Sequence, residues 1–181
     1  MKNIVTIGAS SSSNSINRKF AYYAAKALTI NCDIKELILT NYEMPIYSED
    51  RQEIDGIPDK AILFKRYISD SDGIILSLAE HNGSYTAAFK NIYDWISVIE
   101  NDVWSSKPIL LLSTSTGARG GKTILETAHK RFSLNYIYPI PSFSLPNFYD
   151  NFSETDGIKN LSLKEEFKFV LSKFQSILDG D

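Results

Sequence analysis

The residues best suited to binding chemistry form one polar run, "IGASSSSNSIN", over residues 7–17. Seven of the eight residues from 10 to 17 are Ser or Asn, and they follow directly on a short apolar run. A helix N-terminus with free N–H groups, together with hydroxyls and an amide, can receive a phosphate dianion. The simpler alternative is that Ser13, Asn14 or Ser15 caps the helix that follows. Because one capping residue would suffice for that, the run favours phosphate binding.

Two further loops have the composition of a ligand site. The segment 78–95, "LAEHNGSYTAAFKNIYDW", places Glu80 and His81 at a strand end, with a turn signal at Asn82 and Gly83. The segment 113–121, "STSTGARGG", carries three glycines, which let the backbone approach a flat ligand closely. The chain has two histidines and one cysteine, with no metal-ligand cluster and no triad motif. We therefore assign no metal ligand and no catalytic acid or base.

The elements that must position these loops alternate between two periods of hydrophobicity. β-branched and alternating runs predict strands, and apolar residues three and four apart predict amphipathic helices. The predicted strands cover residues 3–7, 32–38, 72–78, 107–113 and 135–140. The predicted helices cover residues 16–28, 58–68, 88–99, 124–132 and 163–178. Residues 39–57 and 141–160 are interpreted as long loops.

This alternation predicts the α/β class, with a parallel sheet covered by helices on both faces. We find no internal repeat and no second domain, so the prediction is a single domain over residues 1–181. In open α/β sheets the ligand site is built by loops after the carboxyl ends of strands. The three polar loops follow the first, third and fourth predicted strands, which places all of them at that edge.

Composition narrows the class of protein further. The chain has 43% hydrophobic and 23% charged residues, which is ordinary for a soluble globular protein. Its formal net charge of −3 gives no support to a nucleic-acid or membrane partner. The single cysteine, Cys32, excludes an internal disulfide framework and favours a cytoplasmic location; we interpret it as a buried strand residue. No apolar run approaches the length of a membrane span.

The three polar segments together resemble the NADPH-dependent FMN reductase family, which has a flavodoxin-like fold and includes quinone, azo-dye and chromate reductases. The family's first loop reads roughly G-S-x-R-x-x-S-x-N, and Ser12 stands here where the family has arginine. The second loop reads roughly P-E-Y-N-x-S-x-P-x-x-L-K-N-x-x-D-W, and the third S-x-G-x-x-G-G. The matching positions are Ser10, Ser15, Asn17, Glu80, Asn82, Ser84, Lys90, Asn91, Asp94, Trp95 and Ser115 to Gly121. The second loop departs from the family at Ala79, His81 and Phe89.

The resemblance implies a three-layer sandwich whose five-stranded parallel sheet has the order 2-1-3-4-5. It also implies that FMN accepts a hydride from NADPH or NADH and passes electrons to a quinone, azo compound, metal oxyanion or free flavin. In this family the first loop cradles the FMN phosphate, and the other two hold the isoalloxazine ring. The implied cofactor-binding residues are Ser10, Ser12, Ser15, Ile16, Asn17, Glu80, His81, Asn82, Gly83, Ser115, Thr116, Gly117 and Gly120.

For several single residues the sequence leaves alternative roles open. Glu80 either stays charged near the ring or pairs with Lys90, and its backbone is expected to meet the flavin more than its carboxylate does. His81 either tunes the flavin or is an ordinary loop histidine. Arg119 is a candidate for the NAD(P)H phosphate, and Arg18 is expected to point away from the FMN phosphate. Three loop tyrosines are candidates for the substrate side: Tyr42, Tyr47 and Tyr149.

The sequence therefore predicts a cytoplasmic FMN-dependent NAD(P)H oxidoreductase acting on a small-molecule acceptor. One rival is a flavodoxin-like electron carrier, which the net charge of −3 disfavours because such carriers are usually more acidic. The other rival is a flavin-free scaffold domain that retains the fold. A homodimer or homotetramer is expected from the resemblance, with the polar side of helix 85–99 and the loop 39–57 as candidate partner surfaces.

Overall fold

A five-stranded parallel sheet forms the centre of the computed structural model, which describes residues 1–134 and 136–180. The strands are β1 (Lys2–Ala9), β2 (Cys32–Ile38), β3 (Gly73–Leu78), β4 (Ile109–Thr114) and β5 (Ser142–Leu145). They lie in the spatial order β2-β1-β3-β4-β5, and every neighbouring pair is parallel. This confirms the predicted order 2-1-3-4-5.

Helices cover both faces of the sheet. The central strands are therefore buried on both sides, and their sequences are almost entirely apolar. The helices are α1 (Ile16–Lys26), α2 (Glu49–Asp55), α3 (Asp59–Ser69), α4 (Ala87–Ser97), α5 (Lys122–Phe132), α6 (Phe148–Asn151) and α7 (Leu161–Asp179). One core lies under α1 and α7 and includes Phe20, Phe143 and Phe167. The other lies under α3, α4 and α5 and includes Phe64 and Trp95.

The predicted fifth strand over residues 135–140 is wrong. The strand that completes the sheet is Ser142–Leu145, whose alternate residues Phe143 and Leu145 are buried. Proline lacks the N–H that a sheet ladder needs, so the prolines at 139 and 141 make residues 135–140 a poor strand. Pro141 still contributes its carbonyl, which accepts the N–H of Leu111. Asn135, the first residue of the predicted strand, lies outside the described residues.

The two segments interpreted as long loops also need correction. Residues 39–57 contain a 3-10 helix, Leu39–Tyr42, and the short helix α2, whose side chains are largely exposed and so carry little hydrophobic periodicity. Residues 141–160 contain β5, α6 and an antiparallel hairpin of Phe152–Ser153 with Gly157–Ile158. Cys32 is half-buried at the start of β2 rather than fully buried.

The carboxyl ends of the three central strands lie side by side at one edge of the sheet. Gly8 of β1 pairs with Ser77 of β3, and Leu78 of β3 pairs with Ser113 of β4. The serine loop (residues 10–15), the segment after β3 and the glycine loop (residues 115–121) therefore leave the sheet together, as their positions in the sequence predict. Within the described residues, no helix has both the length and the apolar character that crossing a membrane requires.

Candidate functional site

A cavity of about 270 Å³ opens at this carboxyl edge and is lined by all three loops. Nine of the thirteen predicted cofactor residues line it, whereas Asn82, Gly83, Gly117 and Gly120 shape the loops without lining it. The lining residues are Ser10, Ser12, Asn14, Ser15, Ile16, Asn17, Ala79, Glu80, His81, Thr114, Ser115, Thr116 and Tyr149.

The serine loop folds around its own hydroxyl groups. Ser10 Oγ accepts the N–H of Ser12 at 3.2 Å, and Ser12 Oγ accepts the N–H of Asn14 at 3.3 Å. Ser15 is the N-cap of α1, and its hydroxyl accepts the N–H of Arg18 at 3.1 Å. Capping and phosphate binding are therefore compatible, because each hydroxyl that accepts one of these bonds keeps a proton that it can donate.

The start of α1 supplies backbone donors as well. Within the described chain, the N–H groups of Ile16 and Asn17 have no hydrogen-bond acceptor, as is usual in the first turn of a helix. The partial positive charge of the helix N-terminus adds to these donors and favours an anion. The first turn of α1 packs closely against β1 at Gly8, because a Cβ there would lie 2.4 Å from the backbone of Arg18.

The Asn17 side chain joins α1 to the strands β3 and β4 beneath the serine loop. Its carbonyl oxygen accepts the Ser77 hydroxyl at 2.7 Å and the N–H of Thr114 at 3.1 Å. Its amide group donates to the carbonyl of Thr114 at 3.1 Å, and the whole residue is only 3% exposed. These three bonds hold α1 against the ends of β3 and β4. The second N–H of the Asn17 amide remains available to a ligand.

The segment after β3 forms a tight hairpin in which Glu80–His81 pairs with Ser84–Tyr85. Its turn residues Asn82 and Gly83 both have positive φ, 53° and 74°, which is the pattern of a type I′ turn. Thr86 closes the hairpin by capping α4 and donating its hydroxyl to the carbonyl of Ala9 at 2.9 Å. The hairpin therefore lies beside the serine loop and carries His81 into solvent.

The glycine loop is held from below by two serine hydroxyls. Ser113 and Ser144 both donate to the carbonyl of Gly120, at 2.8 and 3.0 Å. A Cβ at Gly120 would lie 2.4 Å from Ser144 Oγ, and φ at this residue is +61°, so glycine is required there. The loop is thereby drawn down toward β5, which leaves Ser115 and Thr116 on the cavity side.

The lining has little formal charge. Among its described residues, none is Lys or Arg, and Glu80 is the carboxylate. Arg18 lines a separate cavity with Tyr22 and Lys26, in agreement with its expected direction. Within the hairpin, burial raises the pKa of Tyr85 to about 12.

Some single-residue expectations change with the contacts. Lys90 pairs with Asp94, so the predicted alternative of a Glu80–Lys90 pair is wrong. Glu80 instead accepts the N–H of Ile124 at 3.0 Å. The Arg119 guanidinium donates to Thr123 Oγ1 at 2.6 Å.

Of the three loop tyrosines, Tyr149 lines the cavity. Tyr42 packs edge-on against Phe64, and Tyr47 packs edge-on against Trp95.

Four lining residues fall outside the predicted cofactor set: Asn14, Ala79, Thr114 and Tyr149. Thr114 is the last residue of β4, and a polar residue at the end of a buried strand is the sequence signal that would have found it. Tyr149 lines the cavity because two backbone hydrogen bonds hold the start of α6 against the glycine loop. The N–H of Phe148 donates to the carbonyl of Ser115, and that of Asn147 to Gly117, both at 3.0 Å.

A parallel sheet of order 2-1-3-4-5, with an anion-receptive loop at its carboxyl edge, defines the flavodoxin-like class of α/β proteins. Residues 2–150 match the family model described as NADPH-dependent FMN reductase, and the chain belongs to that family. It is therefore an FMN-dependent oxidoreductase that uses NAD(P)H.

The chain is similar to one reductase in sequence and to two solved structures in fold. The chain is 31% identical over 130 residues to the 2-hydroxy-1,4-benzoquinone reductase of a Burkholderia species, covering 70% of this chain and 68% of that one. The flavoenzyme NAD(P)H:(acceptor) oxidoreductase FerB of Paracoccus denitrificans superposes with a TM-score of 0.72 at 20% identity, over 99% of this chain and 96% of that one. An FMN-dependent NADH-azoreductase of Bacillus anthracis, solved with FMN, gives 0.63 at 11% identity, over 98% and 100%.

Proposed function

We propose that this protein binds FMN in the cavity at the carboxyl edge and reduces a small quinone or azo compound with electrons from NAD(P)H. The observation that carries the proposal is the donor set at the start of α1. It combines the hydroxyls of Ser10, Ser12 and Ser15 with the N–H groups of Ile16 and Asn17. Neutral hydrogen-bond donors aimed from one helix N-terminus suit a phosphate monoester. These residues fit the FMN phosphate.

Each loop has its own task in this proposal. The serine loop binds the phosphate, while the backbone of the hairpin 80–85 and residues 115–117 hold the ring between them. When bound, FMN supplies the hydride chemistry, which no side chain of the cavity could perform. His81 is exposed on the hairpin, and Tyr149 lies across the cavity on α6, which is bonded to the glycine loop, so both are placed to contact the acceptor. Arg119 lies in the glycine loop and is a candidate partner for the NADPH 2′-phosphate.

The phosphate assignment is tested by comparing FMN with riboflavin. Titration of each into apo-protein should show FMN binding far more tightly, because the serine loop contacts only the phosphate. Equal affinities would remove the serine loop from the site. A purified protein that releases no FMN on heating and takes none up afterwards would contradict the whole proposal.

The oxidoreductase step is tested by anaerobic reduction of the bound flavin with NADPH and with NADH, followed by absorbance. NAD(P)H and acceptor should use one ring face in turn, so steady-state lines should be parallel. Intersecting lines would show that both substrates bind at once. A flavin that neither nucleotide reduces would favour the electron-carrier alternative.

We further propose a cytoplasmic homodimer or homotetramer built from one domain. The loop 39–57 and α4 offer the partner surface, since Ile46 and Ile54 are 77% and 81% exposed. Burial of such apolar side chains is favourable in an interface. Sedimentation at micromolar concentration should give a dimer or tetramer, and a monomer there would refute this assembly.

A further inference from the structure

Glu80 connects two parts of the cavity that are far apart in the sequence. It lies in the hairpin after β3, and its Oε2 accepts the N–H of Ile124 at 3.0 Å. Ile124 lies in the first turn of α5, directly after the glycine loop. The N-cap position of α5 is Gly121, which has no side chain to satisfy these donors. The Glu80 carboxylate therefore takes over the capping task from 44 residues away.

This contact fixes the spacing of the two segments assigned to the flavin ring. Thr86, directly after the hairpin, is already bonded to Ala9, the last residue of β1 before the serine loop. The glycine loop is already held to β5 through Gly120. Glu80 adds a side-chain bond between the hairpin and the first turn of α5, directly after the glycine loop, so that a planar ring bound between the two segments would meet walls at a fixed separation.

The same carboxylate is the formal negative charge among the described lining residues. None of the ion pairs in the described chain includes Glu80. Reduction transfers a hydride, which is two electrons and one proton, from NAD(P)H to the neutral oxidised ring and leaves NAD(P)⁺. The reduced ring then carries one additional negative charge. A fixed carboxylate at the cavity wall repels that charge more than it repels the neutral ring.

We propose that Glu80 is a positioning residue with two separable effects. Its acceptor oxygen holds the hairpin against α5, and its charge weakens the binding of reduced FMN relative to oxidised FMN. The second effect makes the bound flavin a stronger reductant and favours electron release to the acceptor. This inference rests on the placement of FMN in the proposed function.

Three variants separate the two effects. Glu80→Gln keeps an oxygen that can accept the Ile124 N–H but removes the charge. Glu80→Leu removes both. Glu126→Gln is the matched control, because it removes a carboxylate from the exposed side of α5, away from the cavity. Each protein is measured for unfolding of the apo form in urea, for the dissociation constant of oxidised FMN, and for the midpoint potential of bound FMN at one fixed pH.

Glu80→Gln should unfold close to wild type and bind oxidised FMN about as well. Its affinity for reduced FMN should rise on the order of tenfold relative to oxidised FMN. For a two-electron couple this is a midpoint potential about 30 mV more positive. Glu80→Leu should shift the potential in the same direction and also bind oxidised FMN roughly fivefold or more weakly, because the two walls are no longer held together. Glu126→Gln should change none of these values.

An unchanged potential in Glu80→Gln would overturn the charge effect. Unchanged binding of oxidised FMN in Glu80→Leu would overturn the positioning effect. Loss of the fold in Glu80→Gln would also overturn it, because the retained acceptor would then be insufficient. Failure of the wild-type protein to bind FMN defeats the proposed function itself, whereas altered ratios confined to the variants concern Glu80 alone.

Discussion

At one edge of the central sheet the loops are held by neutral side chains, and at the other edge a loop is held by a charged one. At the carboxyl edge the buried groups that join the loops to the sheet are neutral, namely Asn17, Thr86 and Ser113. At the amino edge the loop 98–108 is held by a buried cation. Lys65 is 4% exposed, and its Nζ lies 2.5–2.9 Å from oxygens of Asp102, Val103, Ser105 and Glu100.

The difference follows from what each edge must receive. At the carboxyl edge, a cation already paired with several protein oxygens, as Lys65 is, would have no proton left to donate to the phosphate, whereas a carboxylate beside the phosphate would repel it. Glu80, the carboxylate of this edge, lies instead in the hairpin assigned to the ring. Neutral amides and hydroxyls can hold the loops and still leave N–H and O–H groups free to donate. At the amino edge we assign no ligand, so the Lys65 ammonium can donate all three of its hydrogen bonds to protein oxygens. The predictions below test this contrast.

The largest effect is expected for Lys65→Met. It leaves the Asp102 and Val103 carbonyls and the Glu100 carboxylate without their cation, so the unfolding free energy should fall by about 3 kcal/mol. The FMN affinity of the protein that remains folded should not change, because the edge affected is the far one. Urea unfolding and FMN titration measure the two quantities.

The matched control for that variant is Lys90→Met. Lys90 is 51% exposed in its pair with Asp94, so its loss should change stability by no more than about 0.5 kcal/mol. Equal losses for the two lysines would mean that burial of the Lys65 ammonium contributes nothing to stability.

The next effect comes from placing a charge among the neutral groups, in Asn17→Asp. The carboxylate can still accept from Ser77 and the N–H of Thr114, but it no longer donates to the Thr114 carbonyl. A stability loss of about 1–2 kcal/mol is expected. FMN should bind roughly tenfold or more weakly because of charge repulsion, and riboflavin much less so. Isothermal titration with both flavins measures the difference.

Asn101→Asp adds the same charge at the opposite edge, on an exposed residue. It should leave both flavin affinities unchanged. If Asn17→Asp weakens riboflavin and FMN equally, the loss reflects distortion of the site rather than phosphate repulsion.

A smaller gain is expected for Ser12→Arg, which restores the family's arginine. Charge-assisted bonds to phosphate are roughly twice as strong as neutral ones, so FMN should bind about 1–2 kcal/mol, or five- to thirtyfold, more tightly. Wild-type affinity should fall only gently with salt, whereas that of the variant should fall steeply.

Ser13→Arg serves as the control, because Ser13 is exposed in the same loop without lining the cavity. An unchanged affinity in Ser12→Arg, or a steep salt dependence in wild type, would show that a more distant Lys or Arg already pairs with the phosphate.

The smallest effect concerns an exposed charge in the hairpin 152–158. Hydrogen bonds from the Ser153 and Thr155 hydroxyls hold the pKa of Asp156 below its usual range. Because the folded pKa is lowered, the stabilisation is present above the unfolded pKa of about 3.9 and is lost as the pH falls through the folded pKa. Asp156→Asn should therefore be slightly less stable than wild type at pH 5, with the difference disappearing in strong acid. A difference that persists at low pH would contradict this.

Most of the strands and helices could be predicted from the sequence, because burial imposes a local pattern, whereas the order of the strands came from the resemblance to the family. Strand β3 is apolar apart from Ser77, and α7 repeats apolar residues every three or four positions. The exceptions were short or exposed elements. Strand β5 has four residues between Pro141 and Pro146, too few for a period to show. Helix α2 buries none of its residues, so no apolar stripe marks it.

At the site, residue types and spacing along the chain determined which loops form the cavity. The serine run, the Asn82-Gly83 turn and the glycines at 117–121 are local signals, and each reports a backbone shape or a set of donors that needs no partner from elsewhere. Only the tertiary structure decided how the side chains divide their hydrogen bonds. Asn17 meets Thr114 across 97 residues, and Glu80 meets Ile124 across 44. Such contacts depend on how the whole chain folds, and no local pattern encodes them.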